Sequence, residues 1–123
     1  MNILFLDDSD HRIKAFKSVV KEAKIAQTAQ RCIDLLSTQD TWNVIFLDHD
    51  LGGQIDVMSE RNDTGMEVVR WIVTNQPQIR NIIVHTLNQS AGQRMVDKLK
   101  DAKYEAVYIP YETMIDNLEN LYE

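Results

Sequence analysis

The segment that decides the fold is residues 44–50, which read VIFLDHD and run from four apolar residues into two acids and a histidine. A similar segment, ILFLDD, occupies residues 3–8. Both apolar runs are continuous rather than alternating, which is typical of strands buried on both faces of a parallel sheet. The sequence therefore predicts two central parallel strands whose carboxyl ends carry acidic side chains.

On either side of these segments, short β-branched runs alternate with helical patterns. The predicted strands are Asn2–Leu6, Ile25–Ala26, Val44–Leu47, Ile82–Val84 and Val107–Ile109. Each strand is followed by apolar residues at helical spacing, which gives five predicted helices. Such regular alternation implies parallel strands joined by right-handed crossovers. We therefore predict an α/β fold of the flavodoxin-like kind, a three-layer sandwich whose five-stranded parallel sheet has the order 2-1-3-4-5.

Several helix ends are marked in the sequence. The first helix carries an apolar stripe that extends to Ala23, and the fifth carries one from Met114 to Leu121. The capping boxes and the proline that mark helices three and four are Thr64 with Glu67, Ser90 with Gln93, and Pro77. Residues 49–63 show no clear periodicity, which predicts a long loop that is functional or mobile.

Length and composition fit one domain spanning residues 1–123. The hydrophobic fraction is 44% and the charged fraction is 26%, as in ordinary globular proteins. No apolar run approaches the ~18 residues of a membrane span, so we expect a cytoplasmic protein. The net charge of −6 disfavours sequence-independent binding to a nucleic-acid backbone. The lone Cys32 has no internal disulfide partner and is predicted to be a small core residue.

Acidic residues end both central strands. In a doubly wound sheet the ligand binds beyond the carboxyl ends of the strands, where the strand order reverses between strands one and three. That edge would carry Asp7, Asp8 and Asp48. Converging carboxylates repel one another, and a hard cation such as Mg²⁺ or Mn²⁺ relieves that repulsion by taking oxygen ligands. The alternative is that acids simply favour loop starts and helix caps, as Ser9 or Asp10 would cap the first helix.

All three histidines are predicted to lie at the same edge. His49 and His85 each follow a buried strand directly, whereas His11 falls on the first helical turn, where a solvated surface position is expected. Histidine titrates near neutral pH and is the usual general acid or base. Two such groups beside a metal-bound phosphate suggest hydrolysis or transfer at phosphorus, with Asp48 completing the catalytic set. For a single histidine the alternative is packing or solvated surface.

Polar residues after the fourth strand suit a phosphate group. Thr86 and Asn88 lead into helix four, whose N-terminal N–H groups would face an anion. Arg94 on that helix and Arg61 in the long loop are candidate phosphate partners. Ordinary helix capping and solvation are the structural alternatives for these four residues.

These residues together resemble the receiver domains of bacterial two-component systems over nearly the whole chain. The Asp7–Asp8 pair looks like the acidic metal pair of that family, Asp48 like its phospho-accepting aspartate, and Thr86 like the hydroxyl residue that ends strand four. The segment DTGMEV at 63–68 is similar to the one that opens helix three. The resemblance implies a Mg²⁺ site formed by Asp7 or Asp8 with Asp48.

The chain also departs from a typical receiver in ways that point to one branch of the family. A typical receiver ends strand five with a lysine before a proline, whereas here Ile109 precedes Pro110, so the lysine that reads the phosphoryl group is missing. The segments LDHDLGG at 47–53 and HTLN at 85–88 resemble the cyclic-phosphate processing receiver domains of bacteria and phages. That resemblance implies a substrate with a cyclic phosphate.

The sequence leads to hypotheses of different classes. The preferred one is a metal-dependent phosphoesterase, a phosphoric ester hydrolase acting on a cyclic phosphate or related phosphoester, with an RNA end among the candidate ligands. The alternative is a non-enzymatic response-regulator receiver module that is phosphorylated on Asp48 and signals to a protein partner. The histidines and the missing lysine favour the first, and the near-complete receiver skeleton favours the second. A degenerate receiver that only binds proteins is the third.

Overall fold

Five parallel strands form one sheet in a computed structural model that describes residues 1–51, 58 and 61–122. The strands are β1 (Ile3–Leu6), β2 (Lys24–Ala26), β3 (Thr41–Leu47), β4 (Gln78–Val84) and β5 (Ala106–Tyr108). Their order across the sheet is β2-β1-β3-β4-β5, and every neighbouring pair is parallel. The sheet and its strand order confirm the prediction of a flavodoxin-like α/β fold.

Six helices alternate with or follow the strands within the described residues. They are α1 (Asp10–Val19), α2 (Ala29–Leu36), α3 (Gly65–Asn75), α4 (Gln89–Asp101), α5 (Tyr111–Asp116) and α6 (Leu118–Leu121). None of these described helices is long and apolar enough to cross a membrane. The prediction of five helices was wrong at the C-terminus, because the last predicted helix is divided at Asn117. The Asn117 side-chain amide donates to the carbonyl of Thr113, and an asparagine that competes in this way for backbone hydrogen bonds favours a break.

The sheet lies between two layers of helices, and alternate residues of each strand face opposite layers. Leu6 and Leu47 pack with α2, α3 and α4 in one buried cluster, which also contains Cys32, as predicted. Phe5 and Phe46 pack with α1, α5 and α6 in the other. Burial on both faces explains why β1 is apolar throughout, since all four of its residues are fully buried.

Two helix boundaries differ from the predicted ones. α4 begins after Asn88, whose side-chain oxygen accepts a hydrogen bond from the N–H of Ala91 (3.3 Å), so Asn88 is the N-cap in place of Ser90. α1 ends at Val19 rather than near Ala23. Ala23 is nevertheless buried in the same cluster as α1, which explains why its spacing resembles a continuation of the helix.

The carboxyl ends of β1, β3 and β4 are neighbours along one edge of the sheet. This carboxyl edge is where the acids and all three histidines were predicted to lie. The predicted loop over residues 49–63 starts directly after β3 at the same edge, and its residues 52–57 and 59–60 lie outside the described residues.

Candidate functional site

Asp7 and Asp48 lie side by side at the carboxyl edge. β1 and β3 are parallel neighbours in register, so the residue that follows each strand reaches the same height. Each aspartate comes two positions after a phenylalanine, Phe5 or Phe46, that packs with α1, and side chains two apart on a strand share a face. Both acids are buried, Asp7 fully and Asp48 to 3% exposure. The structure therefore brings together the two acids that end the central strands.

His85 completes a cluster of three ligand atoms with these carboxylates. It follows β4, and its backbone N–H donates to the carbonyl of Leu47 (3.0 Å). Its ring Nε2–H donates to Asp7 Oδ2 (3.0 Å). A carboxylate oxygen from each of Asp7 and Asp48 and a ring nitrogen of His85 all lie within 4.8 Å of one another. We call these three residues the acidic cluster.

The His85 ring lies inside an aromatic layer. It stacks on Phe5, with ring centroids 4.9 Å apart and planes 11° apart, and it meets Tyr111 edge-on at 6.0 Å. The ring is fully buried, and its Nδ1 has no hydrogen-bond partner among the described residues. Because buried polar atoms are normally satisfied, this nitrogen marks a place where a ligand atom, a water or a proton would be accommodated. An acid–base role for His85 stays a prediction.

The two carboxylates of the acidic cluster differ in their electrostatics. Burial alone would raise the pKa of Asp7, but the hydrogen bond and charge of His85, the N–H of Ser9 and the Arg12 guanidinium outweigh burial and lower it. Burial raises the pKa of Asp48; the charge of His85 opposes the rise, and the Asp7 carboxylate adds to it. The folded chain therefore favours the charged form of Asp7 and disfavours the charged form of Asp48.

Arg12 on α1 reaches both carboxylates from the helix side. Its Nη1 lies 3.5 Å from Asp7 Oδ2 and 3.8 Å from Asp48 Oδ2, and its guanidinium carbon lies 4.9 Å from the centroid of the Tyr111 ring. Sequence reasoning missed this residue. The sequence did offer one signal for Arg12: it is a basic residue in the first turn of α1, where the helix dipole favours acidic residues.

Thr86 and Asn88 border the acidic cluster. The Thr86 side chain acts to lower the pKa of Asp48, against the rise that burial causes. The Thr86 hydroxyl oxygen also accepts from the N–H of Asn88 (3.1 Å), and the Tyr108 hydroxyl donates to the Thr86 carbonyl (2.8 Å). The side-chain oxygen of Asn88 caps α4, while its amide points to Asp50 Oδ1 (3.4 Å).

His49 belongs to a different polar group. Its Nδ1–H donates to Asp50 Oδ1 (2.7 Å), the same oxygen that the Asn88 amide approaches. His49 comes two positions after Leu47, which packs with α2 to α4, so alternation directs it away from the face of Asp48. The ring is fully buried. The structure does not bring His49 into the acidic cluster.

The remaining candidate residues also lie outside the acidic cluster. Half-buried or exposed positions are occupied by Asp8, His11, Arg61 and Arg94. Arg61 forms an ion pair with Asp63. The Thr64 hydroxyl donates to the Arg61 carbonyl (3.1 Å) and makes no cap to α3, so the capping box predicted at Thr64 is not formed, although Thr64 is the N-cap residue.

Gly65 lets the start of α3 dock against the segment that follows β3. A Cβ at this position would lie only 1.8 Å from the carbonyl oxygen of Asp48. The N–H of Gly65 donates to the carbonyl of His49 (2.9 Å). The backbone around the candidate site is therefore fixed by a contact that glycine alone permits.

The acidic cluster suits a divalent cation. Mg²⁺ and Mn²⁺ prefer carboxylate oxygens and keep water or phosphate oxygens in their other positions, which matches the adjacent oxygens of Asp7 and Asp48. The unpartnered nitrogen of His85 is consistent with a site whose polar groups are completed by a bound group. Asp7 and Asp48 would hold the cation, and His85 would hold Asp7.

Response-regulator proteins are among the solved structures that share this fold. The BeF3-activated receiver domain of DrrB is 20% identical, with a TM-score of 0.59 and coverage of 97% of this chain and 94% of that one. Whole DrrB from Thermotoga maritima gives the same identity and TM-score, but the chain covers 51% of it. A response regulator from Colwellia psychrerythraea is 14% identical, with a TM-score of 0.64 and coverage of 98% and 94%. At these identities the likeness concerns the fold alone.

A comparison of the sequence with family models identifies the family of this chain. A family model described as the cyclic-phosphate processing receiver domain matches residues 2–101, a range that contains the whole acidic cluster. The chain therefore belongs to the cyclic-phosphate processing receiver domains, which confirms the resemblance drawn from the strand ends. No curated protein matches the chain in sequence.

Proposed function

We propose that this chain is a receiver module that accepts a phosphoryl group on Asp48 with the aid of a divalent cation. The observation that carries the proposal is the position of Asp48 at the end of the central strand, within 4.8 Å of ligand atoms from Asp7 and His85. The Asp48 side chain keeps 5% of its surface exposed, whereas the side chains of Asp7 and His85 are fully buried. Asp48 is thus the member of the acidic cluster that a phosphodonor can approach.

In this proposal a carboxylate oxygen of Asp48 attacks the phosphorus of a donor such as an acyl phosphate. The new P–O bond forms as the bond to the donor oxygen breaks, and the donor leaves as its carboxylate. A bound cation would neutralise the negative charge that the carboxylates and the phosphoryl group bring together. Asp7 would hold the cation, His85 would orient Asp7, and the Thr86 hydroxyl would donate to a phosphoryl oxygen. A protein partner would then read the modified surface.

The burial of both histidines supports ranking this proposal above hydrolysis. General acid–base catalysis needs a ring nitrogen within hydrogen-bond reach of the reacting group. His49 and His85 are fully buried, and each already donates to a carboxylate. Their positions therefore suit the orientation of Asp50 and Asp7 better than direct proton transfer to a substrate.

Hydrolysis of a cyclic phosphate is the second candidate, favoured by the description of the family. The short hydrogen bond between His49 and Asp50 (2.7 Å) is the arrangement by which a carboxylate orients a catalytic imidazole. In this candidate function His49 and His85 would transfer protons, while Thr86 and Asn88 orient a small cyclic-phosphate ligand or an RNA end. The acidic cluster would hold the same cation.

One experiment separates the two candidates. The chain is incubated with Mg²⁺ and either acetyl phosphate or a 2′,3′-cyclic nucleotide, followed by intact-mass analysis and product chromatography. We expect acetyl phosphate to add one acid-labile phosphoryl group per chain, and we expect Asp48→Ala or removal of Mg²⁺ to abolish it. Asp40→Ala is the matched control, because Asp40 is an exposed acid that directly precedes β3 and so lies at the opposite end of that strand from Asp48; it should be modified like the wild type.

Two other outcomes would contradict the receiver proposal. An unmodified chain that opens the cyclic nucleotide, with turnover lost in His49→Ala, would replace the receiver proposal by the hydrolase. An unmodified chain without turnover would contradict both candidates and leave a domain that acts by protein contacts only.

A further inference from the structure

We infer that Arg12 binds the phosphate group received at the acidic cluster. The inference deepens the proposed function and rests on it, because it assumes that a phosphate group comes to Asp48. Neither arginine chosen from the sequence, Arg61 or Arg94, is placed at the two carboxylates, whereas Arg12 lies 3.5 Å from Asp7 and 3.8 Å from Asp48.

The distances show that Arg12 forms no tight ion pair with either carboxylate. Charge-assisted N–H to oxygen bonds are about 2.7–2.9 Å long, so contacts of 3.5 and 3.8 Å are loose. The side chain is 23% exposed, so it is not sealed off from the solvent from which a ligand would come. Its five N–H donors exceed what these two contacts use, and their fork matches phosphate oxygens.

Tyr111 supports the guanidinium in this position. Its ring lies 4.9 Å from the guanidinium carbon, and Tyr111 itself is buried among the residues that pack with α1. The Tyr111 hydroxyl also points to the Arg12 carbonyl (3.5 Å). A planar cation resting on a buried ring loses less freedom on binding an anion than one on a mobile stem.

The charge balance of the site favours a positively charged side chain beside the phosphate. A phosphate that approaches Asp48 meets two buried carboxylates, and even a divalent cation bound to both leaves the negative charge of the phosphate to be compensated. Nearby, the imidazole of His85 is already bonded to Asp7. Among the described residues, Arg12 is the side chain whose permanent positive charge lies beside Asp48.

The test measures inorganic phosphate binding by titration calorimetry in saturating Mg²⁺ for the wild type, Arg12→Ala and Arg12→Lys. We expect Arg12→Ala to weaken phosphate about 10- to 100-fold, the usual effect of losing hydrogen bonds to a charged group. Arg12→Lys should recover only part of the loss, because a lysine offers a point charge without the fork. Lys14→Ala removes an exposed cation two positions along α1 and is the matched control, with unchanged affinity expected.

A parallel Mg²⁺ titration, followed by melting temperature, distinguishes a failure of the Arg12 inference from a failure of the proposed function. Arg12→Ala should bind Mg²⁺ at least as tightly as the wild type, since a competing positive charge is gone. Loss of Mg²⁺ binding in this variant, or phosphate binding equal to the wild type, would overturn the role of Arg12. A wild type that binds no phosphate with Mg²⁺ present would instead overturn the proposed function. If Arg12→Ala does not fold, Arg12→Gln, which keeps the stem over Tyr111, decides by the same criteria.

Discussion

Asp48 carries a charge that the folded chain opposes. Its pKa is raised because burial disfavours ionisation and the neighbouring Asp7 carboxylate adds repulsion, effects that the charge of His85 offsets only in part. Asp7 is the reverse case: despite burial, its bonds to His85 and Ser9 favour the charged form. A buried acidic group whose charge destabilises the fold is a common compromise between stability and function.

Asp48→Asn should therefore stabilise the fold when no divalent cation is present. At pH 7 the change removes a buried charge, and we expect about 1 kcal/mol of added stability. A carboxyl group with a raised folded pKa contributes stability below its ordinary pKa of 3.8 and loses it as the pH rises through the folded value. The advantage of the variant should thus shrink as the pH falls through that window. Urea unfolding at neutral and acid pH measures both effects.

Asp40→Asn is the control for this measurement, because Asp40 is exposed and the same chemical change there should leave stability nearly unaltered. A less stable Asp48→Asn protein at pH 7 would mean that the charge is favourable to the fold, contrary to the raised pKa.

The sequence identified the residues at strand ends but not those placed by tertiary packing. Asp7, Asp48 and His85 were predictable because parallel strands in register bring their carboxyl ends to one edge. Arg12 was not, since its position depends on the rotation of α1 and on Tyr111, 99 positions away in sequence. His49 was grouped with Asp48 as its neighbour, but consecutive residues leaving a strand face opposite sides.

Among the elements, α3 depends on a contact that a single methyl group would block. A Cβ at Gly65 meets the Asp48 carbonyl oxygen at 1.8 Å, and a backbone atom cannot move aside as a side chain does. We expect Gly65→Ala to destabilise the fold by about 3 kcal/mol or more, at or above the upper end of the usual effect of overpacking. Urea unfolding of the variant gives the value directly.

Gly92→Ala is the matched comparison on α4. Its Cβ would lie 2.7 Å from a Tyr108 ring carbon and 3.0 Å from the Thr86 methyl group, and both are side-chain atoms that can shift. Alanine also favours the helix over glycine by about 1 kcal/mol, which offsets part of the clash. A Gly92→Ala protein as unstable as Gly65→Ala would contradict the distinction between backbone and side-chain contacts.

The elements were predicted best where both faces are buried. The apolar halves of β3 and β4 were recognised, but each strand starts earlier, at Thr41 and Gln78, where exposed and buried residues mix. Continuous apolar runs do not reveal that part of a strand. The division of the last helix at Asn117 was missed for a similar reason, because the apolar stripe continues across the break and the local hydrogen bonds that interrupt it are not visible in spacing.

For the whole molecule, the acidic cluster should couple cation binding to stability. A cation that binds only the folded chain stabilises it by about 2.7 kcal/mol at a concentration of 100 times its Kd. For a domain of this size each kcal/mol raises Tm by about 4 °C. We therefore expect millimolar Mg²⁺ or Mn²⁺ to raise the melting temperature of the wild type, as followed by circular dichroism.

Most of this rise should vanish in Asp48→Asn, which removes a ligand while relieving repulsion, and it should persist in Asp40→Asn. An unchanged melting temperature in the wild type at millimolar cation would exclude a functional cation site at this edge.

The stacking of His85 on Phe5 has a spectroscopic consequence. Because the two rings are nearly parallel with centroids 4.9 Å apart, we expect the ring current of Phe5 to shift the imidazole proton resonances away from those of the exposed His11. We expect a group that binds beside Asp7 to polarise the imidazole that is bonded to this carboxylate, and so to shift those resonances again. A simple proton spectrum of the unlabelled chain thereby reports when the edge of the sheet is occupied.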